Sequence, residues 1–134
     1  MLLFALAGCG GGNTRESYVA DATKICKATE ARVKALGTPQ SFTDTQLYAR
    51  RAKDAVSDGV DELKKLTPPE ELGEAFDLYL AALEARRAAL GGIVEAADAA
   101  SMKRLQEAGS GLDVANARAK SEARRAGIPG CESG

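Results

Sequence analysis

The chain has 134 residues, 18 of them basic and 19 acidic, for a formal net charge of −1. That balance supplies no positive field for DNA, RNA or an anionic membrane, and three phenylalanines, three tyrosines and no tryptophan leave few rings on which bases could stack. There is no histidine, which excludes Ser-His-Asp and Cys-His catalysis, the Glu-x-x-His di-iron pattern, and the commonest zinc and haem ligand.

In chain order the first feature is a short apolar run, Met1 to Ala5, that ends in Leu6-Ala7-Gly8-Cys9 and is followed by Gly10-Gly11-Gly12-Asn13. This stretch resembles a bacterial lipobox. The resemblance implies a diacylglyceryl thioether on Cys9, cleavage just before it, and a flexible tether that holds the rest of the chain at a membrane. Residues 1–8 are then a leader, 9–15 the tether, and 16–134 a single helical domain. No Lys or Arg precedes Arg15 and the run is short for a full leader. The expectation is a truncated leader whose true start lies upstream. No later stretch is long and apolar enough to span a bilayer.

Beyond the tether the composition favours helix: alanine is about a fifth of the chain and is joined by many Glu, Lys, Arg and Leu. Four amphipathic segments follow. The first runs from about Glu16 to Leu36, with Tyr18, Ala22, Ile25, Thr29, Val33 and Leu36 on one face, and Gly37 and Pro39 end it. The second opens at Thr43-Asp44-Thr45-Gln46, which has capping-box form. Its stripe is Leu47 or Tyr48, Ala52, Ala55 with Val56, Gly59 with Val60, Leu63 and Leu66, and Lys64 and Lys65 suit the negative end of the helix dipole.

The third segment is expected to start at Thr67-Pro68-Pro69-Glu70, with Thr67 as N-cap, proline at the first helical position and Glu70 closing a capping box. Its stripe is Leu72, Phe76, Tyr79, Leu83, Leu90, Ile93 or Val94, and Ala97. Gly91-Gly92 is a potential bend or break. Asp98 is expected to cap the fourth segment, from about Ala99 to Ala126, with Met102, Leu105, Ala108, Leu112, Ala115, Ala119 and Ala123 facing inward. Those small side chains allow close approach to a neighbour. Gly127 is a C-cap signal, and Ile128-Pro129-Gly130-Cys131 reads as a tail.

Short connections between four helices of similar length predict an all-α, up-down-up-down four-helix bundle with a flexible N-terminal lipid-anchor segment. With Cys9 lipidated, Cys26 and Cys131 remain as an even pair in an exported chain and are expected to form a disulfide. The predicted topology brings the end of the fourth helix near the start of the first, so Cys131 can fold back to Cys26. Closing so long a loop stabilises a fold by about 4 to 5 kcal/mol in the chain-entropy model.

Taken together, Leu6-Ala7-Gly8-Cys9, Tyr18-Val19-Ala20-Asp21-Ala22 with Ile25-Cys26, Leu66-Thr67-Pro68-Pro69-Glu70-Glu71-Leu72, Tyr79-Leu80-Ala81-Ala82-Leu83-Glu84 and Gly127-Ile128-Pro129-Gly130-Cys131 resemble a group of small exported lipoproteins from high-GC Gram-positive bacteria. That resemblance implies a helical, membrane-anchored or secreted protein and supplies no catalytic residues.

No Gly-x-x-x-x-Gly-Lys phosphate loop is present, and the glycines at 8 and 10–12 follow no strand. The carboxylates fall mostly on polar faces and lack calcium-loop spacing. Arg86 or Arg87 lands where the third helix should present a core residue. Either it pairs with Asp58 or Glu62 and fixes helix register, or both arginines lay their stems along the surface with their heads in water. The function expected from these features is that of a lipid-anchored, extracytoplasmic, non-enzymatic binding or structural module with no cofactor, no metal and no nucleic-acid partner. Its partners would be the membrane, through Cys9, and an envelope protein. The alternative is a binder of a small apolar molecule or lipid in a cavity between helices, a reading that a packed core would end.

Overall fold

A computed structural model describes residues 14–132. Cys9, the expected lipidation site, lies outside the described residues. Four helices form the body: α1 (Arg15–Lys34), α2 (Phe42–Leu63), α3 (Gly73–Asp98) and α4 (Met102–Arg125). Short 3-10 turns at Glu70–Leu72 and Pro129–Cys131 precede α3 and follow α4.

Each helix start has an identifiable cause. Thr14 caps α1, its hydroxyl oxygen accepting from the Ser17 N–H at 3.1 Å. The cap of α2 is Ser41 and not the expected Thr43. Ser41 Oγ accepts from the Asp44 N–H at 3.0 Å, and Asp44 Oδ2 accepts in turn from the Gln40 N–H at 3.2 Å. An aspartate thus performs the reciprocal half of the cap that Gln46 was expected to supply.

Thr67 does not start α3 either. Thr67 and Pro68 each precede a proline, and a residue in that position is pushed out of the helical region. The chain therefore stays irregular through Pro69 (φ −53°, ψ 147°), makes a 3-10 turn in which the Leu72 N–H donates to the Pro69 carbonyl at 2.9 Å, and becomes α-helical only at Gly73. From there α3 passes Gly91-Gly92 unbroken. A Cβ at Gly92 would lie 3.9 Å from Ala108 Cβ, so α4 packs against this glycine and tertiary contact outweighs its weak helix propensity.

Asp98 is the last residue of α3 rather than the cap of α4, and its carboxylate faces Arg50 at 3.4 Å. The chain reverses at Ala100, which takes a left-handed conformation (φ 49°) in the place usually filled by glycine. Ser101 closes the end of α3, its N–H donating to the Ala96 carbonyl at 3.2 Å, and opens α4 by accepting from the Arg104 N–H at 3.3 Å. At the far end of α4, Gly127 (φ 73°) ends the helix as its position suggests. The Ile128 N–H reaches back to the Ala123 carbonyl at 3.0 Å and the Gly127 N–H to Arg124 at 3.1 Å. The segment after it is not a departing tail: Ile128 is fully buried and Cys131 nearly so.

Successive helices run antiparallel. Thr29 lies against Gly59 while Arg32 pairs with Asp58 at 2.9 Å. Lys64 pairs with Glu84 at 3.2 Å while Arg50 meets Asp98. Helix packing follows chain order, α1 on α2, α2 on α3 and α3 on α4, with the α3–α4 pair the most extensive. The core is built from the faces read in the sequence: Tyr18 and Ala22 of α1, Ala52, Val56, Val60 and Leu63 of α2, Phe76, Tyr79, Leu83 and Leu90 of α3, and Ala119 and Ala123 of α4. Of the Leu47-or-Tyr48 alternative it is Tyr48 that packs against the core, with Leu47 exposed (46%), and the expected core position Met102 (58% exposed) faces water instead.

The expected bundle is not closed helix against helix. Among the described residues α1 and α4 make no close backbone approach, and the C-terminal 3-10 turn packs on both. Several contacts among the described residues join α1 to the end of the chain. Cys26 and Cys131 form a disulfide with Cα atoms 5.2 Å apart. Tyr18 Oη donates to the Ala126 carbonyl at 3.1 Å, and its ring meets Phe76 edge-on at a centroid distance of 5.4 Å. Gly130 lies directly on Thr23, where any side chain would collide with the threonine. Replacing both Cys26 and Cys131 by alanine is expected to lower unfolding free energy by about 4 kcal/mol while leaving helix content native. Denaturant titration monitored by circular dichroism checks this; an unchanged midpoint would show that the bridge adds nothing to closure.

Candidate functional site

The gap between α1 and α4 leads into a cavity of about 310 Å³. All four helices and Cys131 contribute to its wall. Its presence follows from the packing order: α2 and α3 form the floor, while α1 is joined to the end of the chain at its Tyr18–Cys26 portion. Past Cys26 the inward positions of α1 are Thr29, Glu30 and Val33, all only partly buried, because α4 makes no close approach to α1 there.

Most of the wall is aliphatic. Val33, Val56, Val60, Leu63, Leu83, Leu90 and Leu112 line it, together with Ala52 and Gly59. Gly59 is needed for close approach here, since a Cβ at this point would collide with Thr29 and push α1 away from α2. The polar groups are Tyr48 from α2, Tyr79 and Arg86 from α3, Asn116 from α4, and Glu30 with Lys34 from α1. Glu30 and Lys34 form an ion pair one helical turn apart. Asn116 Oδ1 is buried without a hydrogen-bond partner.

Tyr79 links the cavity to the disulfide. Its Oη lies 3.5 Å from Cys26 Sγ, and because a bridged sulfur carries no proton, the phenol is the donor. Cys131 Sγ approaches the Ala22 carbonyl oxygen at 3.4 Å, which for the same reason is a packing contact. Burial pushes the Tyr79 phenol up to about 12, with the nearby Arg86 charge opposing the shift in part. Burial also raises Tyr18 to about 12. Arg86 is lowered from the usual guanidinium value by its own desolvation, against which Tyr79 and Tyr48 act. The polar part of the wall thus includes two phenols, a guanidinium, an amide, the Glu30–Lys34 ion pair and a closed disulfide. Groups of these kinds can hold a ligand by hydrogen bonds and charge.

Of the residues singled out from sequence, Cys26 and Cys131 are brought together and both line the cavity. For the arginine pair two readings stood open, a register contact with Asp58 or Glu62 and stems laid along the surface. Asp58 is engaged by Arg32 at 2.9 Å and Glu62 by Lys65 at 2.6 Å. Arg87 pairs with Glu84 at 2.9 Å on its own helix, and Arg86 faces the cavity. Arg86 is thus the member of the pair that lines the cavity. Tyr48, Tyr79 and Asn116 carried no separate signal in the sequence. Among the described residues no three His, Cys, Asp or Glu side chains gather as a metal-binding group. No protein-family model matches the chain, and neither a curated protein nor a solved structure matches it.

The tyrosine environments predict a pH dependence. In the unfolded chain a tyrosine ionises near its ordinary value of 10, whereas folded Tyr18 and Tyr79 do so only near 12. Between those values the folded state holds protons the unfolded state has lost, so stability is full below pH 10 and falls as pH rises towards 12. By about pH 11 the loss is on the order of 1 kcal/mol per tyrosine. Denaturant midpoints measured from neutral pH upward check this, and the Tyr18→Phe/Tyr79→Phe double variant should give a flatter profile.

Proposed function

We propose that this protein is a non-enzymatic binding module that holds a small, largely apolar molecule between its helices. The cavity is the observation that carries the proposal: about 310 Å³ of space with an aliphatic wall and a few convergent polar groups, lined by side chains from all four helices. Ligand sites are commonly of this size and character. The open seam between α1 and α4 offers a way in, since a guest need displace no packed helix pair there. A purely structural module presenting a helix face to an envelope partner draws no comparable support, because the exposed large apolar side chains Leu47, Leu78, Met102 and Val114 are spread over α2, α3 and α4, with the two on α4 three turns apart.

The proposed address is the outer face of a membrane. The Leu6-Ala7-Gly8-Cys9 sequence supports it, with Cys9 as the acylated residue and the glycine run as tether. No described helix is long and apolar enough to cross a membrane. Intact mass of the protein extracted from native membranes checks this: a diacylglyceryl adduct at Cys9 is expected, and an unmodified Cys9 would refute the address.

Filling the cavity provides the test of binding. Leu112 lines it from α4 and is only half-buried, so a larger side chain can be seated there without overpacking the core. Leu112→Trp is expected to keep or raise the thermal midpoint and to weaken binding of the neutral dye phenylnaphthylamine by about tenfold or more, which is a loss of about 1.4 kcal/mol. Fluorescence titration of wild type and variant reads this directly. Saturable dye binding that the substitution leaves unchanged would place the dye elsewhere and contradict the proposal.

A further inference from the structure

The cavity and the disulfide share a wall. Both Cys26 and Cys131 border the cavity, and so does Tyr79, whose phenol donates to Cys26 Sγ at 3.5 Å. Cys26 is only partly buried. Ahead of it on α1, Tyr18 and Ala22 are buried in the core and Gly130 sits on Thr23. Beyond it, Thr29 and Val33 form one side of the cavity. The bridge therefore ties α1 to the end of the chain at the point where the seam begins.

That placement couples the bridge to binding. A guest in the cavity touches α1 on one side and α3 and α4 on the other, and it gains most when α1 is already held at a fixed distance from them. The covalent tie fixes that distance. With the bridge open, part of the guest's contact energy goes into ordering the α1 wall. An occupied cavity also covers the side from which a thiolate in the cavity would approach the sulfurs.

We propose that the disulfide is a redox control on the cavity: the oxidised bridge holds the form that binds, reduction by a dithiol weakens binding, and a bound guest in turn resists reduction. This rests on the reading of the cavity as a binding site. In the reduction, one thiolate of the dithiol attacks a cysteine sulfur, the Cys26–Cys131 bond breaks, and the other cysteine leaves as a thiolate and takes a proton. The second thiol of the reagent then closes its own ring disulfide and releases the first cysteine, so the protein gains two electrons and two protons and the dithiol loses both. Linkage makes the two effects equal in size: the factor by which reduction weakens binding is the factor by which binding hinders reduction at equilibrium.

The experiment titrates phenylnaphthylamine into the full wild-type chain, oxidised and after reduction with dithiothreitol, with fluorescence reporting binding and circular dichroism reporting helix content. Reduction is expected to weaken binding about tenfold or more, a loss of about 1.4 kcal/mol, while helix content stays native. In a buffer of reduced and oxidised dithiothreitol, saturating dye should raise the reduced-to-oxidised ratio that opens half of the bridges by the same factor. The Cys26→Ala/Cys131→Ala variant should bind as weakly as the reduced wild type and be indifferent to dithiothreitol. Equal dye binding by the oxidised and reduced wild type would overturn the redox control and leave the cavity reading standing. Loss of helix content on reduction would overturn it as well, because weaker binding would then report unfolding. If the oxidised protein does not bind the dye, the cavity reading itself fails and this inference fails with it.

Discussion

The fold depends on how the end of the chain is held to α1. Among the described helices α2 is the one whose backbone approaches α1 closely; α3 reaches it through the side-chain contacts of Tyr18 with Phe76 and Cys26 with Tyr79, and α4 makes no close backbone approach to it. What closes the α4 side is a short segment: Gly127 reverses the chain, Ile128 plugs the core, and the 3-10 turn delivers Cys131 to Cys26. The fit is close. Gly130 leaves just enough room for Thr23, and Tyr18 spans the joint by donating to the Ala126 carbonyl. The closure is covalent, buried and confined to one portion of α1.

The cavity is the counterpart of that closure. Where the clasp lies, small residues such as Ala22, Ala123 and Ala126 are fully buried and the core is filled. Farther along α1, Thr29, Glu30 and Val33 look across open space towards Leu112 and Asn116. The disulfide belongs to both regions, since each of its cysteines lines the cavity and Tyr79 donates to Cys26 from the cavity wall. A bundle sealed by a fourth helix–helix interface would have no such space. One sealed at a single level keeps both a rigid end and a roomy one.

Much of this architecture was legible in the sequence, for reasons that can be named. The α3 stripe, Phe76, Tyr79, Leu83, Leu90, Ile93 and Ala97, is buried as its spacing requires, because large apolar residues at helical period leave one solution. The cysteine pairing followed from topology and parity together. Helix starts were less legible where two signals competed. Thr67-Pro68-Pro69 looks like a cap, but tandem prolines exclude helix from the residues before them. Ser41 and Ser101 outrank Thr43 and Asp98 as caps because each accepts a backbone N–H three residues ahead in the structure.

The cavity was legible only as an alternative. Periodicity says which face of a helix turns inward, not whether another helix meets it. The inward residues of α1 beyond Cys26 look like core residues in sequence, yet they line a gap. Arg86 stood out as a charge on an apolar face, and the structure puts it on the wall of that space.

The most direct test of the account is methyl-resolved NMR of the oxidised protein titrated with decanol. The account predicts saturable shifts at the methyl groups of Val33, Val56, Leu83 and Leu112, which come from all four helices and share only the cavity, while Ile128 at the clasp stays unperturbed. Non-saturable shifts, or shifts spread over exposed Leu47, Leu78 and Val114, would show that the space between α1 and α4 does not act as a binding site.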